Sequence, residues 1–112
     1  MVVSKEAPER GDLIWLSFDP QKGYEQKGRS PALVLSPREY NEKVGLALMC
    51  PITSKKKGYP FEVDLSEDCS MKGVILSDQV KSLDWRAREA EIAGTAPQNV
   101  ISEALQKLYT LS

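Results

Sequence analysis

The segment Thr53-Ser54-Lys55-Lys56-Lys57 sets two hydroxyls directly beside three cations, a combination suited to acting on a phosphate. Cations attract a phosphate backbone, and hydroxyls next to them can orient it and stabilise charge that develops on it. A lysine run by itself is more often the solvated tip of a hairpin, so it is the adjacent hydroxyls that favour a phosphate-binding role. The other cations that could share this surface are Lys22, Lys27, Arg29, Arg86 and Arg88.

A second polar segment, residues 23–31, lies between two apolar runs and has the composition of a binding or catalytic loop. It contains Glu25, Gln26, Arg29 and Ser30, and it ends at Pro31. Its glycines adopt positive φ at little steric cost, and the proline biases the preceding serine towards extended geometry. The segment therefore presents a carboxylate, an amide and a cation on a flexible loop. From these residues alone, a solvent-facing Glu25-Gln26 pair is an equally good interpretation.

Cleavage of RNA is a reaction that such residues can perform without a metal or a histidine. The ribose 2′-OH is an internal nucleophile, so the protein has to align it, stabilise the phosphorane and assist the leaving 5′ oxygen. Arginine and threonine supply charge and positioning, and a carboxylate such as Glu25 can accept the proton. The chain contains no histidine, which excludes histidine-based acid–base chemistry. Cys50 and Cys69 are its only cysteines and are expected to be buried or incidental. Because there is no histidine and no pair of cysteines at ligand spacing, no metal or cofactor is expected.

Length and composition limit the architecture and the location. The 112 residues suffice for one domain with a single core, expected over residues 1–112. The net charge is −1, so any affinity for nucleic acid has to come from a local cluster. No apolar run approaches the ~20 residues that span a bilayer, and the first residues lack the apolar stretch of a signal peptide. The expected location is the cytoplasm, with no membrane contact.

Short apolar segments predict a mainly β (α+β) fold, a small, strongly bent antiparallel β-barrel with two helices. Strands are expected at 13–18, 32–36, 46–52, 61–65, 74–76, 79–83 and 90–93. The alternation in 61–65 predicts one buried and one wet face. Ser36-Pro37-Arg38-Glu39 has the pattern of a capping box that opens a short helix ending at Gly45. After Pro97, a C-terminal helix is predicted by an apolar stripe of Val100, Ile101, Ala104, Leu105, Leu108 and Leu111.

Short motifs spread in order over nearly the whole chain carry a family resemblance. They are Gly11-Asp12-Leu13-Ile14-Trp15, Phe18-Asp19-Pro20, Glu25-Gln26 with Gly28 and Pro31, Cys50-Pro51-Ile52-Thr53-Ser54, Lys57-Gly58-Tyr59-Pro60-Phe61-Glu62-Val63, Asp78-Gln79-Val80-Lys81-Ser82 and Asp84-Trp85-Arg86-Ala87-Arg88. Together they resemble the MazF/PemK toxins of bacterial toxin–antitoxin pairs, and the MazF branch in particular. The resemblance implies a homodimer with an SH3-like barrel that cuts single-stranded mRNA without metal, leaving a 2′,3′-cyclic phosphate and a 5′-hydroxyl. It also implies a cognate antitoxin that blocks the RNA groove.

The resemblance also implies roles for individual residues. Thr53 takes the position of the catalytic threonine, and Glu25 and Gln26 lie in the loop that borders the site. The resemblance gives Lys57, Gln79 and Arg86 as RNA contacts. With the loop residue Gln26 and the neighbouring cations Lys55 and Lys56, these are the residues expected to contact RNA. Independently of the resemblance, Tyr59 and Trp85 could stack on bases, as aromatic side chains do in proteins that read single strands. A half-buried structural role is the alternative for both.

The sequence departs from the family pattern at one position of the site. The family has an arginine, held to be catalytic, directly before the loop proline, whereas this chain has Ser30 there and Arg29 one residue earlier. Adjacent residues of an extended chain point to opposite sides, so Arg29 is not expected to fill the place. Serine lacks the permanent charge and the fork geometry that suit phosphate. A flexing loop, a weakened natural variant and a deliberate replacement all account for the change. We expect binding of RNA and antitoxin, but poor cleavage.

Two other functions are compatible with the sequence. One is a non-enzymatic toxin of the same fold that poisons a protein target such as gyrase, which would show as binding to gyrase without affinity for RNA. The other is a catalytically silent module that binds RNA or antitoxin, for which Ser30 is the argument. The position of Thr53 within a basic loop favours the nuclease.

Overall fold

The computed structural model describes residues 6–17 and 29–111, which form antiparallel strands and two helices. The elements are β1 (Asp12–Ser17), β2 (Arg29–Val34), α1 (Arg38–Val44), β3 (Ala47–Thr53), β4 (Glu62–Asp64), β5 (Val74–Leu76), β6 (Lys81–Leu83), β7 (Glu91–Thr95) and α2 (Gln98–Tyr109). The strands pair in the order β4-β5-β3-β2-β1-β7, and β6 pairs with β3. This architecture confirms the predicted fold class. Neither helix of the described part is long and apolar enough to cross a membrane.

Buried side chains pack on both faces of the sheet, because alternate residues of the central strands point in opposite directions. One cluster contains Leu13, Leu33 and Cys50 and is covered by α2. The opposite cluster contains Ile14, Val34 and other strand residues packed around the ring of Trp85. The nearly continuous apolar run of β2 predicted a central strand, and β2 does lie between β1 and β3. Both faces of β2 are therefore covered by buried side chains over its apolar residues 32–34.

β2 begins three residues earlier than its apolar run predicted, and this matters for the site. Arg29 and Ser30 belong to the strand and pair with Ser17 and Leu16 of β1, so they do not lie in the loop. The backbone ladder with β1 continues past the last apolar residue because its hydrogen bonds do not depend on side-chain polarity. The orientation of both side chains is thereby fixed by the pleat.

The predicted capping box of α1 is wrong. Pro37 occupies the N-cap position and no side chain caps the helix. The Ser36 hydroxyl instead bonds the side-chain oxygen of Asn41 and accepts the backbone N–H of Leu48 at 2.8 Å. This buried network ties α1 to β3, so tertiary hydrogen bonds replace the local cap. The helix ends at Gly45 with φ of 81°, as predicted.

α2 begins directly after Pro97, as predicted, and its apolar stripe faces the core. Val100, Ile101 and Ala104 are buried. Leu111 does not complete the stripe, because it lies beyond the last helical residue and remains 51% exposed. The two predicted buried thiols are confirmed as well. Burial, with a smaller contribution from the nearby Asp78 charge, raises the pKa of the Cys50 thiol to about 12.

Candidate functional site

A cavity of about 330 Å³ opens where β3 ends, and we call it the Thr53 cavity. It is lined by Thr53, Lys55, Lys57, Tyr59, Glu62, Leu76 and Gln79. The cavity thus brings together the predicted threonine with three of the predicted RNA-contacting residues. Strands β4 and β5 contribute Glu62 and Leu76 to the wall of the cavity, and these two residues are paired in the sheet. A hydroxyl, ammonium groups, an amide and a phenol therefore converge on one cleft.

Thr53 is the last residue of β3, where it pairs with Val74 of β5. Its Oγ1 accepts the backbone N–H of Lys55 at 3.2 Å, which orients the hydroxyl and leaves its hydrogen to donate elsewhere. The side chain is half-buried at the wall of the cavity. A strand end combines a rigid backbone with an accessible side chain, which is what a group that positions a phosphate requires.

Gly73 packs directly against the backbone of Thr53. Its φ is 124°, and a Cβ placed there would lie 2.9 Å from the carbonyl carbon of Thr53 and closer still to the carbonyl oxygen. The carbonyl of Gly73 also accepts the backbone N–H of Leu65 at 3.1 Å. The turn before β5 therefore needs glycine for two reasons, a left-handed φ and the close approach of the strand that carries Thr53.

We predict that Gly73→Ala destabilises the protein by about 2–4 kcal/mol, because it combines backbone strain with a collision against fixed backbone atoms. The matched control is Gly58→Ala. Gly58 also has a positive φ, 79°, but a Cβ there meets no atom within 4 Å. The control should lose only about 1 kcal/mol, from conformational strain. Urea unfolding followed by circular dichroism measures both, and equal losses would show that the collision at Thr53 relaxes freely.

Glu62 fixes the backbone conformation of the basic loop, the segment that carries Lys55, Lys56 and Lys57. Its side-chain oxygens accept the backbone N–H groups of Lys57, Gly58 and Tyr59 at 2.9, 3.0 and 3.3 Å. The residue is only 8% exposed, so the carboxylate exchanges water for these three donors. The alternation in β4 predicted Glu62 on the wet face together with Asp64, and for Glu62 this is wrong. Three hydrogen bonds from loop N–H groups stabilise the carboxylate away from bulk water. The alternation of apolar and polar residues along the strand does not reveal these bonds.

The three lysines of the loop have different surroundings. Lys55 and Lys57 line the Thr53 cavity. Lys56 pairs with Asp64, with 2.9 Å between Nζ and Oδ1, and both side chains are well exposed. An exposed pair of this kind contributes little to stability and is easily exchanged for another anion.

Arg29 points away from the face that carries Thr53. Its guanidinium reaches across β1, donating to the carbonyl oxygens of Trp15 at 3.3 Å and of Arg88 at 3.4 Å. Nη2 also lies 3.9 Å from Oε1 of Glu91 on β7. The guanidinium is thus held over β1 and β7, which follow β2 in the sheet order, whereas β3 is the neighbour of β2 in the opposite direction.

The register of β2 and β3 relates Ser30 to Thr53 by extrapolation beyond their last observed pair. The observed β2–β3 ladder ends at the pair Ala32–Pro51. Continued by two residues, the same register would place Ser30 opposite Thr53. Cross-strand partners share a face of the sheet, so the two hydroxyls would then belong to the same face. By strand alternation and the continued register, we expect Ser30 on the face of the threonine, whereas Arg29 contacts Glu91.

Other predicted site residues lie elsewhere or outside the description. Glu25 and Gln26 fall outside the described residues. Arg86 lies 4.6 Å from the ring centroid of Trp85 and lines a different cavity, of about 260 Å³, with Arg38 and acidic residues. Trp85 itself is 1% exposed and donates Nε1–H to a backbone carbonyl, so its ring is closed to a base. Across 6–17 and 29–111, no three side chains of the His, Cys, Asp and Glu types converge as a metal ion requires.

Comparison with known proteins identifies the family of this chain and agrees with its fold. The family model for the PemK-like, MazF-like toxin of type II toxin–antitoxin systems matches residues 9–111. The endoribonuclease toxin MazF of Escherichia coli (strain K12) is 55% identical over 100 residues, which are 88% of this chain and 89% of that protein. The endoribonuclease toxin ChpB of the same organism is 40% identical over 115 residues, with 98% of both chains covered.

Solved structures agree with the sequence relatives. The crystal structure of MazF from Deinococcus radiodurans superposes with a TM-score of 0.85 at 51% identity, covering 96% of this chain and 97% of that chain. A MazE–MazF crystal structure from the same organism gives a TM-score of 0.85 at 47% identity, with 96% of both chains covered. The resemblance inferred from the motifs is confirmed. The chain belongs to the PemK-like, MazF-like toxin family of type II toxin–antitoxin systems.

Proposed function

We propose that this chain is an endoribonuclease toxin that cleaves single-stranded RNA, chiefly mRNA, and thereby inhibits translation and growth. The observation that carries the proposal is the Thr53 cavity, where one hydroxyl lies beside Lys55, Lys57 and Gln79. Relatives named as endoribonucleases at 55% and 40% identity support it. The exposed lysines supply attraction for the phosphate backbone that the net charge of the chain does not.

The proposed reaction is an attack of the ribose 2′-OH on the adjacent phosphorus. The new bond joins O2′ to phosphorus, the bond from phosphorus to O5′ breaks, and the products are a 2′,3′-cyclic phosphate and a 5′-hydroxyl. Glu25 is assigned as the acceptor of the 2′-OH proton, and a proton from solvent or a nearby donor reaches the leaving O5′. The Thr53 hydroxyl donates to a non-bridging oxygen, and the ammonium groups of Lys55 and Lys57 stabilise the added charge. No step requires a metal ion.

Slow turnover is part of the proposal. A phosphorane beside Thr53 would need a cation on the face that carries Ser30, and the nearest candidate in sequence, Arg29, is engaged with Glu91 on the opposite face. Loss of one preorganised donor to a developing oxyanion costs about 10²–10³ in rate in other enzymes. RNA binding, which depends on several contacts, should suffer less.

The proposed partners are a cognate antitoxin and a second copy of the chain, in the cytoplasm. Structures of a relative crystallised as MazE–MazF support the antitoxin. An open apolar groove on α2 and the residues after it, lined by Leu105, Leu108, Tyr109 and Leu111 with one glutamine, supports association between copies.

The test is incubation of the purified chain with a long unstructured RNA in EDTA, with analysis of the product ends. We expect slow cleavage that yields cyclic phosphate and 5′-hydroxyl ends, abolished by Thr53→Val, which removes the hydroxyl at nearly constant volume. Ser54→Ala removes the neighbouring, exposed hydroxyl and should leave the rate unchanged. A chain that neither binds nor cuts RNA would contradict the proposal.

A second candidate, a catalytically silent RNA- or antitoxin-binding module, is favoured by one observation, the occupied guanidinium of Arg29. It predicts RNA binding equal to that of the nuclease model but no cleavage products at any enzyme concentration. The product analysis above therefore separates the two.

A further inference from the structure

Tyr59 is an exposed aromatic ring that is anchored at both ends. It lines the Thr53 cavity and is 43% exposed. Its hydroxyl donates to Oδ2 of Asp78, and its backbone N–H donates to Glu62. The ring of Phe61 packs edge-on against it, with 5.9 Å between centroids and 60° between planes. An exposed tyrosine normally samples several rotamers, whereas these contacts restrict both the backbone and the tip of this one.

Asp78 is not explained by packing alone. Its Oδ2 accepts the Tyr59 hydroxyl, while Oδ1 is buried and makes no hydrogen bond in the described part of the chain. An unpaired buried carboxylate oxygen is costly, and a role in a neighbouring site is one reason for a protein to retain it. The next residue, Gln79, lines the same cavity as Tyr59. The carboxylate thus joins two parts of the cavity wall, and its hydrogen bond raises the pKa of Tyr59.

We infer that Tyr59 is a platform on which one nucleobase flanking the scissile phosphate stacks, and that Asp78 is the positioning residue that fixes the ring. The inference rests on the proposed cleavage of RNA and names the contact that places the strand against Thr53. An aromatic face accepts any base, because every base has a π-face. The platform therefore supplies affinity and alignment rather than choice of base. A ring held before the strand arrives loses little conformational entropy on binding.

The experiment uses short single-stranded 2′-O-methyl RNAs, which cannot be cleaved, with 2-aminopurine placed at each position in turn. Stacking quenches the fluorescence of 2-aminopurine, so the quench reports a base on the ring and the titration gives Kd. Tyr59→Leu should abolish the quench and raise Kd about 5- to 100-fold, the effect of removing an aromatic ring from under a base. Tyr59→Phe keeps the ring and should retain most of the quench. Tyr40→Leu is the matched control, because Tyr40 on α1 is 39% exposed and should leave both readings unchanged.

The role of Asp78 is tested by a double-mutant cycle. Asp78→Ala, which removes the acceptor, and Tyr59→Phe, which removes the donor, should each raise Kd about 2- to 10-fold, as expected for loss of one hydrogen bond. The Kd of the double variant should not exceed that of the single variant that binds RNA more weakly, because both changes remove the same hydrogen bond. Additive increases in Kd would overturn the positioning role. Unfolding midpoints of all variants check that each one folds.

Failure of this inference differs from failure of the proposed function. If the parent chain binds RNA and Tyr59→Leu folds with an unchanged quench and Kd, the platform is refuted and the nuclease proposal stands. If the parent binds none of the RNAs, the nuclease proposal falls and the platform falls with it.

Discussion

Ser30→Arg raises the rate of RNA cleavage by about 10²–10³, the change expected when a preorganised cation is supplied to a developing oxyanion. The expectation follows from register, since residue 30 lies opposite Thr53 when the β2–β3 ladder is continued. An arginine there reaches the face of the hydroxyl with a planar fork that fits phosphate oxygens. Single-turnover cleavage of an unstructured RNA in EDTA measures the change, and Kd for uncleavable RNA should fall by much less.

Two matched variants separate charge from geometry at this position. Ser30→Lys supplies charge without the fork and should recover only part of the rate, and Ser30→Gln supplies length without charge and should recover little. Arg29→Ala should leave the slow cleavage of the parent unchanged, because that guanidinium faces Glu91. Rapid cleavage by the parent, lost in Arg29→Ala, would show that the guanidinium leaves Glu91 to serve the site.

We expect Glu62→Ala to lower the free energy of unfolding by about 3 kcal/mol. Each hydrogen bond to a charged acceptor contributes about 1.5–3 kcal/mol, but the three contributions do not add because they share one carboxylate. Three backbone N–H groups of the basic loop lose their acceptor. The loop that carries Lys55 and Lys57 then samples other conformations, so RNA binding should weaken even at temperatures where the variant is folded. Thermal unfolding and RNA titration at low temperature measure the two effects separately.

The control for Glu62 is Asp64→Ala, two residues along the same strand. Asp64 is exposed and pairs with Lys56 at the surface. Its loss should change stability by no more than about 0.5 kcal/mol and should leave RNA binding nearly unchanged. Equal effects of the two substitutions would show that the loop does not depend on the buried carboxylate.

Local pattern predicted the elements of this fold well, because periodicity reports which faces are buried. The apolar stripe that places Val100, Ile101 and Ala104 against the core is an example. The errors arose where a polar side chain bonds groups other than those its local motif indicates. Ser36 bonds the Asn41 side chain and the Leu48 backbone and does not cap the first turn of α1. Glu62 is buried and accepts three N–H groups of a loop. Neither partner can be read from alternation.

The candidate site shows the same division. Its residue types were recognisable from the motifs, and the Thr53 cavity does collect Lys55, Lys57 and Gln79. The place of Arg86, on a different cavity, depends on how the segment after β6 folds over Trp85. The opposition of Ser30 and Thr53 depends on the register of two strands. Register is set by the whole sheet and is not encoded in either segment alone.

The opposite orientation of residues 29 and 30 has an evolutionary consequence. The contacts of Arg29 with β1 and β7 do not involve the side chain of its neighbour, so residue 30 is free to vary without disturbing the sheet. Serine codons that begin with AG differ from arginine codons by a single base. If Ser30 slows cleavage as proposed, one point mutation in this codon would restore the arginine and leave the contacts of Arg29 in place.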